Sequence, residues 1–190
     1  MEAVLNQPQR RPAVPSAMLG MLVFIVTEVM FFAGFISAFT ISKANAPMGM
    51  WPPPGQPMLP AAATALNTVV LLVSGVLLFV AYRRFRGGAT VQPLYLAAFV
   101  LGAAFVALQG REWAALLGQG MTMRSSTLGA FFFLIVGLHA LHVAVCIVAM
   151  GVGYLKLRAG KLSRDFFLAT LAFWTFVVGA WPVIYFRVYF

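Results

Sequence analysis

Three ionisable side chains that could take part in chemistry lie inside apolar segments of this sequence: Glu28, His139 and His142. Glu28 lies inside the apolar run 17–41 and is the one carboxylate near the centre of an apolar segment. A carboxylate at bilayer depth costs about 2.5 kcal/mol or more, so chains rarely keep one there unless it faces protein, water or a functional site. Glu28 is therefore a candidate for a structural hydrogen bond, for proton handling, or for an ion or substrate site.

The only two histidines, His139 and His142, are three positions apart, which places them on one face of a helix. Two imidazoles on one face cannot bind opposite sides of a heme. A zinc or copper site needs a third protein ligand, which Cys146, Glu28 or a methionine would have to supply. The sequence favours imidazoles hydrogen-bonded across helices over a metal site, with a proton-linked or lipid-headgroup role as a further alternative. We assign no catalytic residue, metal ligand or cofactor ligand to this chain.

Asn67, Gln109 and Glu112 are further polar side chains in the apolar segments, and we expect them to form structural hydrogen bonds. Gln109 and Glu112 share a helix face through their i, i+3 spacing, near the end of a segment where a charged group can reach water. Because lipid offers no hydrogen-bond partner, each of these side chains should turn toward other protein.

The composition is that of a membrane protein. Hydrophobic residues make up 62% of the 190 residues and charged residues only 9%, against about 25% charged residues in soluble domains. A hydrocarbon core of about 30 Å needs about 20 apolar residues per helix. Five segments meet that requirement: 17–41, 61–82, 93–112, 127–155 and 166–189. We predict an all-α protein with a polar N-terminal segment, 1–16, and one bundle of five transmembrane helices over 17–190.

The net charge of +9 is distributed unevenly between the two ends of these segments. Nine of the 13 basic residues lie before the first segment or in the connections after the second and fourth, and four lie on the other side. Cytoplasmic loops carry an excess of lysine and arginine, so this bias predicts a cytoplasmic N-terminus and an external C-terminus. The same bias accounts for the positive charge without a nucleic-acid partner.

Two local patterns predict details of the bundle. The connection 46–60 contains six prolines, which exclude a regular helix there. Gly34 and Ala38 form a pair of small residues four positions apart in the first segment. This spacing is suited to close contact with another helix.

Four segments, in order, resemble the motifs of one family, subunit III of the heme–copper respiratory oxidases in its short five-helix bacterial form. Residues 27–34, TEVMFFAG, are similar to its S-E-V-x-F-F segment with a buried glutamate, and residues 66–75, LNTVVLLVSG, to its L-N-T-x-x-L-L-x-S-G segment. Residues 109–113, QGREW, resemble Q-x-x-E-Y/W, and residues 132–143, FFLIVGLHALHV, resemble F-F-x-x-T-G-F-H-G-L-H-V. With the fifth segment, the resemblance covers about residues 17–190.

Two departures from the family pattern matter for the polar groups, one in the last helix and one between the histidines. The family's last helix often reads W-H-F-V-D-x-x-W, and here Thr175 stands in the place of its histidine and Val178 in the place of its aspartate. The glycine between the family's two histidines is Ala140 in this chain. These departures indicate a divergent branch in which the histidine–aspartate pair is absent or replaced.

The resemblance implies a subunit without a redox centre of its own in a proton-pumping terminal oxidase of the cytochrome c oxidase type, which reduces oxygen to water. Heme and copper would reside in subunits I and II, with subunit I as the main contact. This chain would bind phospholipid and support proton uptake and stability, with Glu28, His139 and His142 as its buried, proton-linked groups. The implied location is the bacterial cytoplasmic membrane, with membrane lipids and a respiratory supercomplex as further partners and no nucleic acid.

Other functions are compatible with the same residues. An oxidase that takes electrons from quinol, or a nitric oxide reductase system, would use the same fold. An independent small transporter would use Glu28 as its ionisable site. Against a transporter, the sequence contains no internal repeat of the kind many transporters have, and no second acid at the depth of Glu28.

Overall fold

The computed structural model describes residues 16–46 and 50–190, and these residues form α-helices without a strand. The five helices are α1 (Ser16–Ala44), α2 (Ala61–Arg86), α3 (Gln92–Gly118), α4 (Thr127–Arg158) and α5 (Arg164–Tyr189). All five are long and apolar enough to cross a membrane, which confirms the predicted five-helix membrane class. Of the predicted polar segment 1–16, residues 1–15 lie outside the described part of the chain.

Every helix is longer than the apolar segment that predicts it. A helix of 26 residues, the length of α2 and α5, spans about 39 Å at 1.5 Å per residue, against a hydrocarbon core of about 30 Å. The added turns carry polar residues that the apolar pattern does not include, such as Arg83, Arg84 and Arg86 at the end of α2. The helices therefore continue to the depth where charged side chains reach water.

Helix α5 lies at the centre of the bundle. It packs against α1, α2 and α4, while α3 packs against α2 and α4. Helix α1 packs mainly against α5 and to a smaller extent against α4. It is the least buried helix, and α5 is the most buried. The bundle thus has an open side along α1.

Two fully buried tryptophans of α5, Trp174 and Trp181, occupy the centre of the core. Glycines on neighbouring helices make room for α5. A Cβ on Gly102 of α3 would lie 2.8 Å from the Trp174 ring, and one on Gly75 of α2 would lie 3.0 Å from Cγ1 of Val178. Helices in membranes approach closely through such small residues. Val178, one of the departures from the family pattern, is thus a packing residue against α2.

Serine residues cap the N-termini of the last two helices. The Ser126 hydroxyl accepts a hydrogen bond from the Gly129 N–H at 3.0 Å before α4. The Ser163 hydroxyl accepts one from the Phe166 N–H at 3.2 Å before α5. These bonds satisfy backbone donors that have no partner within the first helical turn.

The proline-rich connection between α1 and α2 contains bends and a turn but no helix at its described positions, 46 and 50–60, as its prolines predict. Trp51 of this connection contacts Phe39 of α1, with 5.6 Å between the ring centroids. Phe39 is buried. The connection is therefore packed onto the end of the bundle.

The predicted contact of Gly34 and Ala38 with another helix is not made within the described chain. A Cβ on Gly34 would meet no described atom within 4 Å, and Ala38 is exposed. Helix α1 instead packs through larger side chains. Phe32 is buried, and its ring centroid lies 6.3 Å from that of Phe176 on α5. The small residues of α1 thus lie on its outward side.

Candidate functional site

Glu28 of α1 and His142 of α4 form an acid–imidazole pair at the junction of these helices. Oε2 of Glu28 lies 3.1 Å from Nε2 of His142, an ion-pair distance, although the two groups are less well aligned than in a regular hydrogen bond. The Glu28 and His142 side chains are 18% and 12% exposed, so both are largely enclosed. The structure thus brings together Glu28 and His142, two of the three candidate residues named from the sequence.

The second ring nitrogen of His142 is hydrogen-bonded to the backbone. Nδ1 lies 2.6 Å from the backbone oxygen of Leu138 in the preceding turn. A carbonyl oxygen only accepts hydrogen bonds, so Nδ1 carries a hydrogen and donates it. Nε2 is then the ring nitrogen that faces Oε2 of Glu28. A proton between these two atoms would give either a carboxylic acid beside a neutral imidazole or a carboxylate beside an imidazolium.

Four phenylalanine rings surround the imidazole of His142. Phe24 and Phe32 come from α1, Phe173 and Phe176 come from α5, and their centroids lie 5.6 to 6.3 Å from the imidazole centroid. Such a lining excludes water, and a polar pair interacts more strongly where the local dielectric constant is low. Helices α1, α4 and α5 therefore meet at one polar contact enclosed by aromatic rings.

His139 occupies a separate position, one turn before His142 on α4. Its ring stacks on Trp181 of α5, with 5.0 Å between centroids and 28° between planes. Nε1 of Trp181 donates a hydrogen bond to the Thr68 hydroxyl of α2 at 2.9 Å. Among the described residues, Nε2 of His139 has no hydrogen-bond partner. His139 thus contacts α5 through its ring face, without the cross-helix hydrogen bond that the sequence favours.

A second polar group, the Glu112 cluster, consists of Thr64, Asn67, Gln109 and Glu112. Oε2 of Glu112 accepts hydrogen bonds from the Thr64 hydroxyl at 2.8 Å and the Gln109 amide at 3.1 Å, and Oε1 accepts one from the Asn67 amide at 2.9 Å. Hydrogen bonds to a charged group contribute about 1.5–3 kcal/mol each. The cluster joins α2 to α3. Sequence reasoning missed Thr64, although its i, i+3 spacing from Asn67 places both on one helix face.

Tyrosines at the end of α5 extend this network. The Gln109 amide nitrogen lies 3.3 Å from the Tyr189 hydroxyl, and the Tyr185 hydroxyl donates to the backbone oxygen of Ala61 at 2.9 Å. These bonds connect the last turn of α5 to α3 and to the start of α2. Neither tyrosine stands out in the sequence, because each is one aromatic residue among several in an apolar segment.

No group of three or more His, Cys, Asp or Glu in the described part of the chain is placed to hold a metal ion. Cys146, a possible third ligand for the histidines, is buried, and its sulfur lies 4.0 Å from the backbone oxygen of Thr170. The polar groups therefore connect helices to one another.

Comparison with known proteins identifies the family. Residues 2–190 match the family model described as Cytochrome c oxidase subunit III. The chain belongs to this family. The match covers all five helices, including those that carry the acid–imidazole pair and the Glu112 cluster.

Individual members of the subunit III family are similar over most of the chain. Cytochrome c oxidase subunit 3 of Lemur catta is 34% identical over 179 residues, which are 90% of this chain and 64% of that protein. The Formosania lacustris protein of the same name is 35% identical over 179 residues, 90% of this chain and 67% of that protein. The Ovis aries protein is 34% identical over 194 aligned residues, which cover 96% of this chain and 73% of that protein. This chain thus spans about two thirds of the length of these relatives.

Thr175, where the subunit III motif often has histidine, lies on the side of α5 that faces α1. It is exposed and lines a groove of about 390 Å³ between these helices. The other lining residues, among them Ala33, Gly179 and Ala180, are apolar. The acid–imidazole pair is formed without a polar partner at this position, since His142 of α4 is the residue that reaches Glu28.

We expect Glu112→Gln to lower the free energy of unfolding by about 1–3 kcal/mol, because the new amide places donor hydrogens where three donors already converge. The thermal unfolding midpoint of the purified protein in detergent measures this effect. Arg111→Gln is the matched control, since Arg111 is the exposed neighbour in the same helix. Equal midpoints for the two variants would show that the Glu112 cluster does not stabilise the bundle.

Proposed function

We propose that this chain is an accessory subunit of a proton-pumping cytochrome c oxidase that reduces oxygen to water in a bacterial cytoplasmic membrane. The observation that carries the proposal is the subunit III family match over residues 2–190. The chain would perform no electron transfer itself. Heme and copper would be bound by subunits I and II, with subunit I as the main contact, and a respiratory supercomplex would be a further level of assembly.

The open side of α1 supports a position within a larger membrane complex. Val23, Val26 and Met30 on this helix are 59%, 59% and 70% exposed. In a membrane, such apolar side chains are covered by lipid chains or by the helices of another subunit. In the proposal, both kinds of neighbour cover α1.

The acid–imidazole pair of Glu28 and His142 is proposed to hold α1 against the bundle and to keep one proton at a fixed depth. Its 3.1 Å separation and its low exposure support this role. A group that stores a proton beside the catalytic subunit supports proton uptake without taking part in oxygen chemistry. His139, stacked on Trp181, is proposed to contribute to the stability of the bundle through packing.

Phospholipid is the proposed occupant of the groove between α1 and α5. The groove has a volume of about 390 Å³, and its lining is apolar except for the Thr175 hydroxyl. An acyl chain matches such a lining, because it has no polar group to satisfy. Lipid bound there would cover part of the open side of α1.

Purification of the tagged chain from its native membranes tests the proposed function. We expect a complex with heme absorbance, cyanide-sensitive oxygen consumption with reduced cytochrome c, and bound phospholipid. Membranes without the tag serve as the control. Oxygen consumption with quinol alone, or reduction of nitric oxide instead of oxygen, would replace the proposal with one of those related systems. A chain that purifies alone and drives solute flux in liposomes would be a transporter.

The proposed orientation places the N-terminus in the cytoplasm and the C-terminus outside. Cys146 is buried, so single cysteines can be added at exposed positions as reporters. An impermeant thiol reagent applied to right-side-out vesicles should label Met123→Cys, between α3 and α4, but label Arg86→Cys only after permeabilisation. The unmodified chain is the control and should stay unlabelled. The reverse labelling pattern would contradict the orientation.

A further inference from the structure

A small cavity lies between α3, α4 and α5, away from the acid–imidazole pair, and opens to the outside of the bundle beside the exposed Val106 and Gly110 of α3. It has a volume of about 100 Å³. Its lining is mostly apolar, with three polar side chains, those of Gln109, Trp113 and His139. Gln109 and His139 are 5% and 2% exposed, so this part of the lining is buried in the bundle.

The polar side chains of this lining carry hydrogen-bonding atoms without a partner. Within residues 16–46 and 50–190, six buried side-chain atoms have no hydrogen-bond partner, and three of them belong to residues of this one cavity. They are Nε2 of His139, Oε1 of Gln109 and Nε1 of Trp113. Native proteins leave few buried polar atoms unsatisfied, so this concentration points to a ligand that completes them.

The chemistry of the three atoms selects the ligand. Nε1 of Trp113 only donates, Oε1 of Gln109 only accepts, and Nε2 of His139 does one or the other according to its tautomer. An anion would be repelled by the Gln109 oxygen and by the nearby carboxylate of Glu112, which the Gln109 amide contacts at 3.1 Å. A cation would be repelled by the Trp113 N–H. Water both donates and accepts, and therefore matches all three atoms.

We propose that this cavity is a site for ordered water, held by His139, Gln109 and Trp113. Its volume of about 100 Å³ exceeds the roughly 10–15 Å³ of such space that one water molecule needs. The apolar remainder of the lining limits the site to a few molecules in fixed positions beside the polar atoms. The inference does not depend on the proposed function.

Water at this site extends the Glu112 cluster into the centre of the bundle. The Gln109 amide group donates to Glu112 through Nε2, while its Oε1 atom has no partner in the described chain. Water on Oε1 that also reaches Nε2 of His139 connects α3 to α4. His139 then has a hydrogen-bonded role across helices, carried by water instead of by a protein side chain.

A high-resolution electron microscopy map of the complex purified through the tagged chain tests the site directly. We expect density for at least one water within hydrogen-bond distance of Nε2 of His139 and of either Oε1 of Gln109 or Nε1 of Trp113. The result that overturns the proposal is a cavity without density in a map that shows ordered water elsewhere in the complex. Density for a larger or metal ligand overturns it equally.

Paired substitutions give an independent readout. Tyr95 is the matched control, because its buried hydroxyl also lacks a partner in the described chain but does not line this cavity. We expect Tyr95→Phe to leave the thermal midpoint unchanged or raise it, since it removes an unpaired polar atom. His139→Phe should lower the midpoint by about 2–4 °C and remove the water density, because it takes a partner from bound water. If His139→Phe leaves the thermal midpoint unchanged or raises it, as expected for Tyr95→Phe, the cavity is dry and the proposal is wrong.

Discussion

The hydrocarbon core of a membrane contains no solvent that could form hydrogen bonds with a polar side chain. The arrangement of this bundle depends on how the carboxylates of Glu28 and Glu112 find partners within the protein. Glu28 is paired with His142, whose other ring nitrogen is held by the backbone oxygen of Leu138. Glu112 accepts hydrogen bonds from three neutral donors on α2 and α3. Each carboxylate lies between helices, so the groups that satisfy it also join those helices. The acid–imidazole pair links the middle of α1, the least buried helix, to the bundle, and Lys43 at the end of α1 donates a second polar contact to the backbone oxygen of Phe190.

The chain belongs to the subunit III family, and its polar side chains join its helices to one another. In the part of the chain that the structure describes, the acids and histidines are not grouped to hold a metal. They are divided between the acid–imidazole pair, the stacked imidazole of His139 and the Glu112 carboxylate with its three hydrogen-bond donors. In the proposed complex, such groups set the stability of the subunit and the position of one proton, while a neighbouring chain performs the oxygen chemistry.

Much of this arrangement is predictable from the sequence because it depends on local patterns. Apolar segment length predicts the five helices, and i, i+3 spacing predicts that Gln109 and Glu112 act together. The partners across helices are not predictable in this way, since Glu28 and His142 are far apart in sequence and their contact depends on how α1 and α4 pack. The same limit explains the Gly34 and Ala38 prediction: small residues permit a helix contact, but they do not determine which side of α1 faces the bundle. His139 and His142 share a helix face, yet only the structure shows that His142 meets Glu28 of α1 while His139 stacks on Trp181 of α5.

A double-mutant cycle on the acid–imidazole pair tests the central claim most directly. Glu28→Ala, His142→Ala and the double variant are compared in the purified complex by the midpoint of thermal dissociation, with heme absorbance recorded on the same samples. The account predicts that each single substitution destabilises the subunit, that the double variant adds little more, and that the coupling energy is about 1 kcal/mol or larger with heme absorbance unchanged. Additive effects of the two substitutions, or loss of heme from a complex whose subunits remain assembled, would contradict it.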